Sequence, residues 1–198
     1  MTLIESAFAT SSRIYMRFPT EADANGNWHN WLNDPAHQML LGREVWPNSL
    51  SMQLQYLKDM EKDLSRLLLA ICDKETHEHI GIASLSGINR FHQSAQTGLI
   101  IGSGNHLDGT YAIDSLALLT EIGLIRMNLH RLEASALLIN QRSHLLNKVL
   151  GWKEVGIRRE SHFCNGSFTD SIIYEILRSD WLNSSKRPSC EDLPQGTR

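Results

Sequence analysis

The sequence predicts an α/β chain of the α+β kind: a central mixed, mostly antiparallel sheet of about seven strands with a parallel pair at its centre, flanked by helices. Three observations predict it. Residues 66–72, 79–89 and 96–102 are strand-like runs joined by turns over residues 73–77 and 89–94, the pattern of an antiparallel meander. An apolar helical stretch over residues 110–127 separates the last of these from a strand carrying Leu132, Ala134, Ala136 and Leu138, and a helical crossover makes those two strands parallel. Residues 153–163 and 168–177 then flank Asn165-Gly166, a strong short hairpin signal.

The remaining elements follow in order. Residues 1–12 lack clear periodicity and read as an N-terminal arm in which Leu3, Ile4 and Phe8 could dock on a neighbour; the domain proper spans residues 13–182. Arg13-Ile-Tyr-Met-Arg-Phe alternates as a strand, Pro19 ends it, and Thr20 with Asp23 three residues on suits a helix start. That helix runs towards Trp31 and ends where Pro35 pushes Asp34 out of the helical region. Trp28 and Trp31 share one helix face, which reads as core. After a turn-rich connection over residues 42–49, Ser49 or Ser51 caps a second helix through about Asp63, with Leu50, Leu54, Leu57 and Met60 on one face. The helix over residues 110–127 leaves only Asp114, Ser115 and Glu121 as a polar stripe, which predicts burial. Asn140 caps the next helix, and Gly151 stops it before Trp152. Residues 183–198 are polar and proline-bearing and read as a disordered tail.

Composition narrows the function. At 198 residues with 41% hydrophobic and 21% charged residues, the chain is sized for one domain with a buried core. A net charge of -3 without a sustained basic run disfavours nucleic acid. No apolar run reaches the ~20 residues that span a bilayer, and the N-terminus is not signal-like, so no membrane partner and a cytoplasmic location are expected. Cys72, Cys164 and Cys190 form no paired spacing, and the nine histidines form no metal-binding spacing, so reduced thiols and no metal are expected.

The most informative stretch is Leu99-Ile-Ile-Gly-Ser-Gly-Asn-His-Leu-Asp-Gly-Thr-Tyr-Ala-Ile-Asp, a strand, a glycine-rich loop and a helix start. The first N–H groups of such a helix lack intrahelical partners and carry partial positive charge, so the backbone from Asp108 through Gly109, Thr110, Tyr111 and Ala112 is an anion site suited to phosphate. A P-loop is ruled out because no lysine lies between Ser94 and Met127, and a dinucleotide fingerprint fails because Leu107 stands at its third glycine.

With its flanks, Gln96-Thr-Gly-Leu-Ile-Ile-Gly and Tyr111-Ala-Ile-Asp-Ser-Leu, and with His130-Arg-Leu-Glu-Ala-Ser-Ala-Leu-Leu-Ile-Asn followed by Gln141 to Trp152, this region resembles the GNAT acetyltransferases. The closing part, Gly156 to Asp170 and Tyr174, looks like the branch containing the ribosomal-protein N-terminal acetyltransferases. Leu107 stands where the family has glutamine or arginine, and Gly109 sits one place early.

The resemblance implies the GNAT fold and direct transfer of acetyl from acetyl-CoA to a primary amine. The acceptor would be a protein N-terminus, an aminosugar or another small amine, with a homodimer as an open option. It implies that the Leu99, Ile100 and Ile101 strand pairs with pantetheine, and that a carbonyl-polarising N–H lies near Ile100 or Ile101. The family's thiolate-protonating tyrosine is matched here by Asn147, whereas the branch assigns that role to a serine matching Ser143. Local capping is the alternative for Ser143, and plain N-capping is the alternative for Asn140 as a pantetheine contact. His162 falls where the branch carries a glutamate and is the candidate general base, with Glu133 and Glu160 in reserve. Trp46 and Tyr56 are candidates for gripping substrate, with ordinary core or surface aromatics as the alternative. Two other classes stand beside the enzyme: a non-catalytic acyl-CoA-binding module, and a cysteine-dependent acyltransferase using Cys164 and His162.

Overall fold

Alternation over residues 13–18 and the capping pair at Thr20 and Asp23 fix the entry into the domain. In the computed structural model, which describes residues 7–41, 46–102, 104–164 and 166–188, strand β2 is Ile14–Arg17 and it pairs outward with a two-residue strand β1, Ala9–Thr10. Thr20 and Asp23 form a reciprocal capping box that opens helix α1 (Glu21–Asn25). Asp23 also receives a two-pronged bond from Arg17, at 2.6 and 2.9 Å. The single helix expected here is broken at Gly26, beyond which α2 spans Asn27–Asn33. Pro35 starts another helix rather than merely ending one: α3 spans Pro35–Leu41, and the Asp34 carboxylate accepts from the backbone of Ala36 and His37 at 2.7 and 3.3 Å. The proline needs no N–H at a first helical position. Helix α4 (Leu50–Met60) is capped by Ser49.

The meander β3 (Leu67–Asp73), β4 (His79–Asn89) and β5 (Ser94–Ile101) follows, then a 3-10 turn at Gly104–His106 and helix α5 (Thr110–Glu121). A π-helical turn, Ile122–Arg126, ends α5. Strand β6 (Arg131–Leu137), helix α6 (Gln141–Val149), strands β7 (Lys153–Cys164) and β8 (Ser167–Leu177) and helix α7 (Arg178–Leu182) complete the chain. The hairpin pairs Cys164 with Ser167, and Asn165 of the hairpin signal lies outside the described residues. So do Leu3, Ile4, Cys190 and residues 42–45.

The sheet order is β1-β2-β3-β4-β5-β6-β8-β7, antiparallel except for β5 with β6. It has eight strands against an expected seven because part of the presumed arm, with Ala9 fully buried, pairs along β2; two residues are too few to show periodicity. One face is covered by α5 and the π-helical turn after it, whose Leu116, Leu118, Leu119 and Ile122 pack with Leu69, Leu85 and Leu132. The other carries Trp28, Trp31, Leu32 and Leu57 of α2 and α4 over Leu68, Ala70 and Ile82.

The tail expected to be disordered is tied down at least through Arg187. Its guanidinium meets buried Glu121 of α5 at 2.7 and 3.0 Å, and Trp181 Nε1 donates to the same carboxylate at 2.7 Å. A carboxylate buried beside a helix end demands such partners. Residues 189–198 lie outside the described residues.

Candidate active site

The parallel pair opens into a wedge. Strands β5 and β6 are paired only at Ser94↔Arg131, Ala95↔Leu132 and Gln96↔Glu133, while β4 holds β5 as far as Ile101 and β8 holds β6 as far as Leu137. The Thr97 hydroxyl, donating to the Glu133 carbonyl at 3.3 Å, marks the apex. Backbone direction beyond it follows from one bond: Gly102 N–H donates to the Ile80 carbonyl at 2.9 Å, so in this regular antiparallel register Ile100 and Gly98 also turn their polar groups to β4. The main chain of Leu99 and Ile101 therefore faces the wedge, and that of Ile100 does not. Of the strand positions expected to meet a ligand, Ile100 instead packs its side chain against the α2 and α4 core.

At the start of α5, Gly109 adopts φ +94°, a conformation that suits glycine, and the space a Cβ would occupy is open. Ile113 N–H donates to the Gly109 carbonyl, and Thr110 N–H and hydroxyl both donate to the Asp108 carboxylate at 2.9 and 2.7 Å. Among the described residues the N–H groups of Tyr111 and Ala112 have no protein acceptor. Of the five residues expected to line an anion site, Thr110 has its N–H taken up by Asp108, and the Asp108 carboxylate puts an acidic side chain beside the start of α5. The Thr110 hydroxyl and N–H hold the Asp108 carboxyl below its ordinary range, so it is charged at neutral pH. Gly102 serves packing: a Cβ there would lie 2.1 Å from the Trp31 indole.

The loop is held from β3. Asp73 accepts from the Tyr111 hydroxyl at 2.7 Å, faces His106 Nε2 at 3.7 Å, and accepts from the backbone of Glu75 and Thr76 at 2.8 and 2.7 Å. Burial alone would raise its pKa, but the Thr76 N–H, the Tyr111 hydroxyl and the Glu75 N–H overcome that and hold it at about 2. The bond to Asp73, with desolvation second, pushes Tyr111 up to about 12. The sequence showed Asp73 only as the first residue of a turn.

At the start of α6, the Asn140 side chain makes two bonds: Oδ1 accepts from Ser143 N–H at 3.1 Å and Nδ2 donates to the Leu40 carbonyl at 3.3 Å. Ser143 is half-buried and its hydroxyl has no hydrogen-bond partner among the described residues. Asn147 donates to the Ser143 carbonyl at 2.8 Å, and its buried Oδ1 has no hydrogen-bond partner among the described residues. An amide there has no acidic proton to give.

The face of the sheet opposite α5 carries Glu133 at the wedge apex. His162 lies on the same face, on β7, two strands out from β6, with Nδ1 2.9 Å from Ser161 Oγ. Glu160 sits at φ +48° in an irregular part of β7, its N–H bonded to Asp170. Tyr56 packs edge-on to Trp28, with centroids 6.2 Å apart, whereas Trp46 is exposed. Cys164 Sγ is 3.9 Å from the Met39 carbonyl, while His162 Nδ1 is engaged with Ser161. Among the described residues no group of three or more His, Cys, Asp or Glu is placed to hold a metal ion, and no helix is long and apolar enough to cross a membrane.

Residues 13–153 match the sequence family described as acetyltransferase (GNAT) domain. The chain is 25% identical over 128 residues to the uncharacterized N-acetyltransferase p20 of Bacillus licheniformis, a span covering 65% of this chain and 71% of that one. Its fold is similar to a spermidine N-acetyltransferase from Vibrio cholerae in complex with CoA and spermine, with a TM-score of 0.81 and 23% identity over 87% of this chain and 99% of that one. A dodecameric form of spermidine N-acetyltransferase from Vibrio cholerae gives a TM-score of 0.74 at 24% identity, over 88% and 99% of the two chains. At these identities the structural likeness carries the fold. The ribosomal-protein branch suggested by the closing hairpin has no counterpart among these relatives.

Proposed function

The chain belongs to the acetyltransferase (GNAT) family, and from that premise we propose that it acetylates the primary amine of a small molecule by direct attack of the amine on the thioester. It is an acyltransferase that uses acetyl-CoA as co-substrate, the carrier of the activated acetyl group. The observation that carries the reading is the wedge, which opens towards Leu99 and Ile101 and has two unpartnered N–H groups at the start of α5.

In this reading the Tyr111 and Ala112 N–H groups hold the pyrophosphate, which their dipole alignment favours. Leu99 and Ile101 pair with the pantetheine arm, and one of their N–H groups polarises the acyl carbonyl, where a preorganised donor is worth several kcal/mol, about 3. Ser143, with its free hydroxyl in the first turn of α6, donates a proton to the departing thiolate. His162 accepts the amine proton through water, since two strand spacings put it about 10 Å from β6. Glu133 is the residue on β6 itself, but its carboxylate is engaged by two arginines. Asn140, committed to its cap and to Leu40, positions the α6 turn rather than touching ligand.

The test is thiol release from acetyl-CoA across a panel of amines, beside calorimetry with CoA alone. Binding of CoA together with acceptor-dependent thiol release supports the reading. Binding without turnover on any small amine overturns it in favour of an acyl-CoA-binding module.

A further inference from the structure

The sheet face that an amine would cross to reach the wedge carries an ordered group of charges. Cross-strand partners share a face, so Arg131 and Glu133 of β6, Glu175 of β8 and Arg158 of β7 all lie on the side opposite α5. On that side α2 and α4 pack over β3 to β5 through Trp28, Trp31 and Leu57, while α3 touches β6 and approaches the far end of β7. Arg131 Nη1 is 3.1 Å from Glu175 and 3.5 Å from Glu133, and Arg158 Nη2 is 3.3 Å from Glu133. The four side chains alternate in sign.

Their depths differ. The Glu133 and Glu175 side chains are 17% and 25% exposed, whereas those of Arg131 and Arg158 are 39% and 47% exposed. An approaching molecule therefore meets guanidinium first, with the carboxylates beneath and already paired. Each arginine uses one terminal nitrogen in these contacts, and a guanidinium has five N–H donors in a planar fork. Among the described residues the other donors of both have no acceptor. The carboxylates below fix the orientation of the forks, which suits two-pronged capture of a carboxylate or phosphate.

We infer that the acceptor carries an anionic group, a carboxylate or a phosphate, beside its amine, and that Arg158 and Arg131 receive it next to the wedge apex. This rests on the proposed acetylation of a small amine. A polycation is disfavoured at the same place, because it would face two guanidinium groups within a Debye length, and Glu133 and Glu175 beneath them are already paired.

The test uses matched acceptors: glucosamine 6-phosphate with glucosamine, and alanine with alaninamide, with spermidine as the polycation. The phosphate and carboxylate arms separate the two anion classes. With the wild-type enzyme, at least one anionic member should have a kcat/KM about tenfold or more above its neutral twin. In Arg158→Gln that ratio should fall by about tenfold, and Arg158→Lys, which keeps charge but loses the fork, should fall between. Calorimetry of the same pairs with the enzyme–CoA complex reads the preference without turnover. An inert panel would overturn acetylation of small amines, while anion-selective binding lost in Arg158→Gln would still support the arginine site. Equal use or binding of both twins, preference for spermidine, or an unchanged ratio in Arg158→Gln would overturn it.

Discussion

The Tyr111 hydroxyl donates to the Asp73 carboxylate at 2.7 Å, joining the first turn of α5 to the end of β3 across 38 residues of sequence. His106 packs edge-on to the same tyrosine ring at a centroid distance of 4.5 Å, so the loop between β5 and α5 is held on one buried acid. The N–H groups of Tyr111 and Ala112 are aimed by this contact.

Removing it should cost cofactor affinity more than chemistry. In Tyr111→Phe, CoA should bind about five- to tenfold more weakly by calorimetry, consistent with ~1–1.4 kcal/mol for the loss of one hydrogen bond from a half-buried donor. The kcat at saturating acetyl-CoA should change much less than KM. Because the Asp73 carboxyl is depressed to about 2, its contribution is complete above the ordinary carboxylate range and lost as pH falls towards 2. Wild-type CoA affinity should therefore show no Asp73-dependent change between pH 5 and pH 8, which a pH series of titrations checks.

Asp108 places a negative charge at the rim of the anion site while it caps Thr110. Asp108→Asn keeps an acceptor for the Thr110 N–H and removes the charge. The expected result is CoA binding tightened about threefold at low salt, with the difference shrinking as salt rises, since exposed charges are screened. Weaker binding would show that the carboxylate orders the loop for the ligand.

Ser143 combines a cap-bonded N–H with a free hydroxyl. Ser143→Ala leaves the Asn140 cap in place, because that bond uses the backbone. The expected result is a kcat lowered about tenfold, ~1.4 kcal/mol, with the acetyl-CoA KM little changed. Full turnover in a folded variant would mean that the thiolate leaves without this donor.

For His162, the measurement is the pH dependence of kcat/KM. An imidazole base is lost as it protonates, so the acid limb of the profile should disappear in His162→Gln as the rate falls about 10²-fold. A retained limb would assign the proton to Glu133 or to solvent.

Arg187 is the only described residue of the segment after α7 whose side chain reaches Glu121. Arg187→Ala leaves that buried carboxylate with Trp181 as its remaining side-chain partner, and should destabilise the fold by about 3 kcal/mol, read by urea unfolding. Glu121→Gln with Arg187→Ala together should recover part of the loss, because no charge is then left buried.

Local periodicity carried much of the architecture. The apolar girth of α5 predicted its burial, and the helical crossover predicted the parallel pair β5 and β6, whose early parting makes the wedge. The Thr20 and Asp23 spacing announced a capping box that is present. What escaped had no local signature. The bonds from Tyr111 to Asp73, from Arg158 to Glu133 and from Arg187 to Glu121 span 38, 25 and 66 residues, so only the folded sheet brings the partners together. Gly102 is a case of the same kind: its lack of a side chain answers to Trp31, remote in sequence. Ile100 was grouped with its neighbours because strand composition does not say which edge a given N–H faces; a single bond from Gly102 decides it.

The most direct measurement is acceptor-dependent thiol release from acetyl-CoA, followed beside the mass of the acceptor. The account predicts that free thiol appears in proportion to an amine product heavier by one acetyl group, with no acyl group left on the protein. Thiol release that leaves the acceptor unmodified, or no release from a protein that binds CoA, would contradict it.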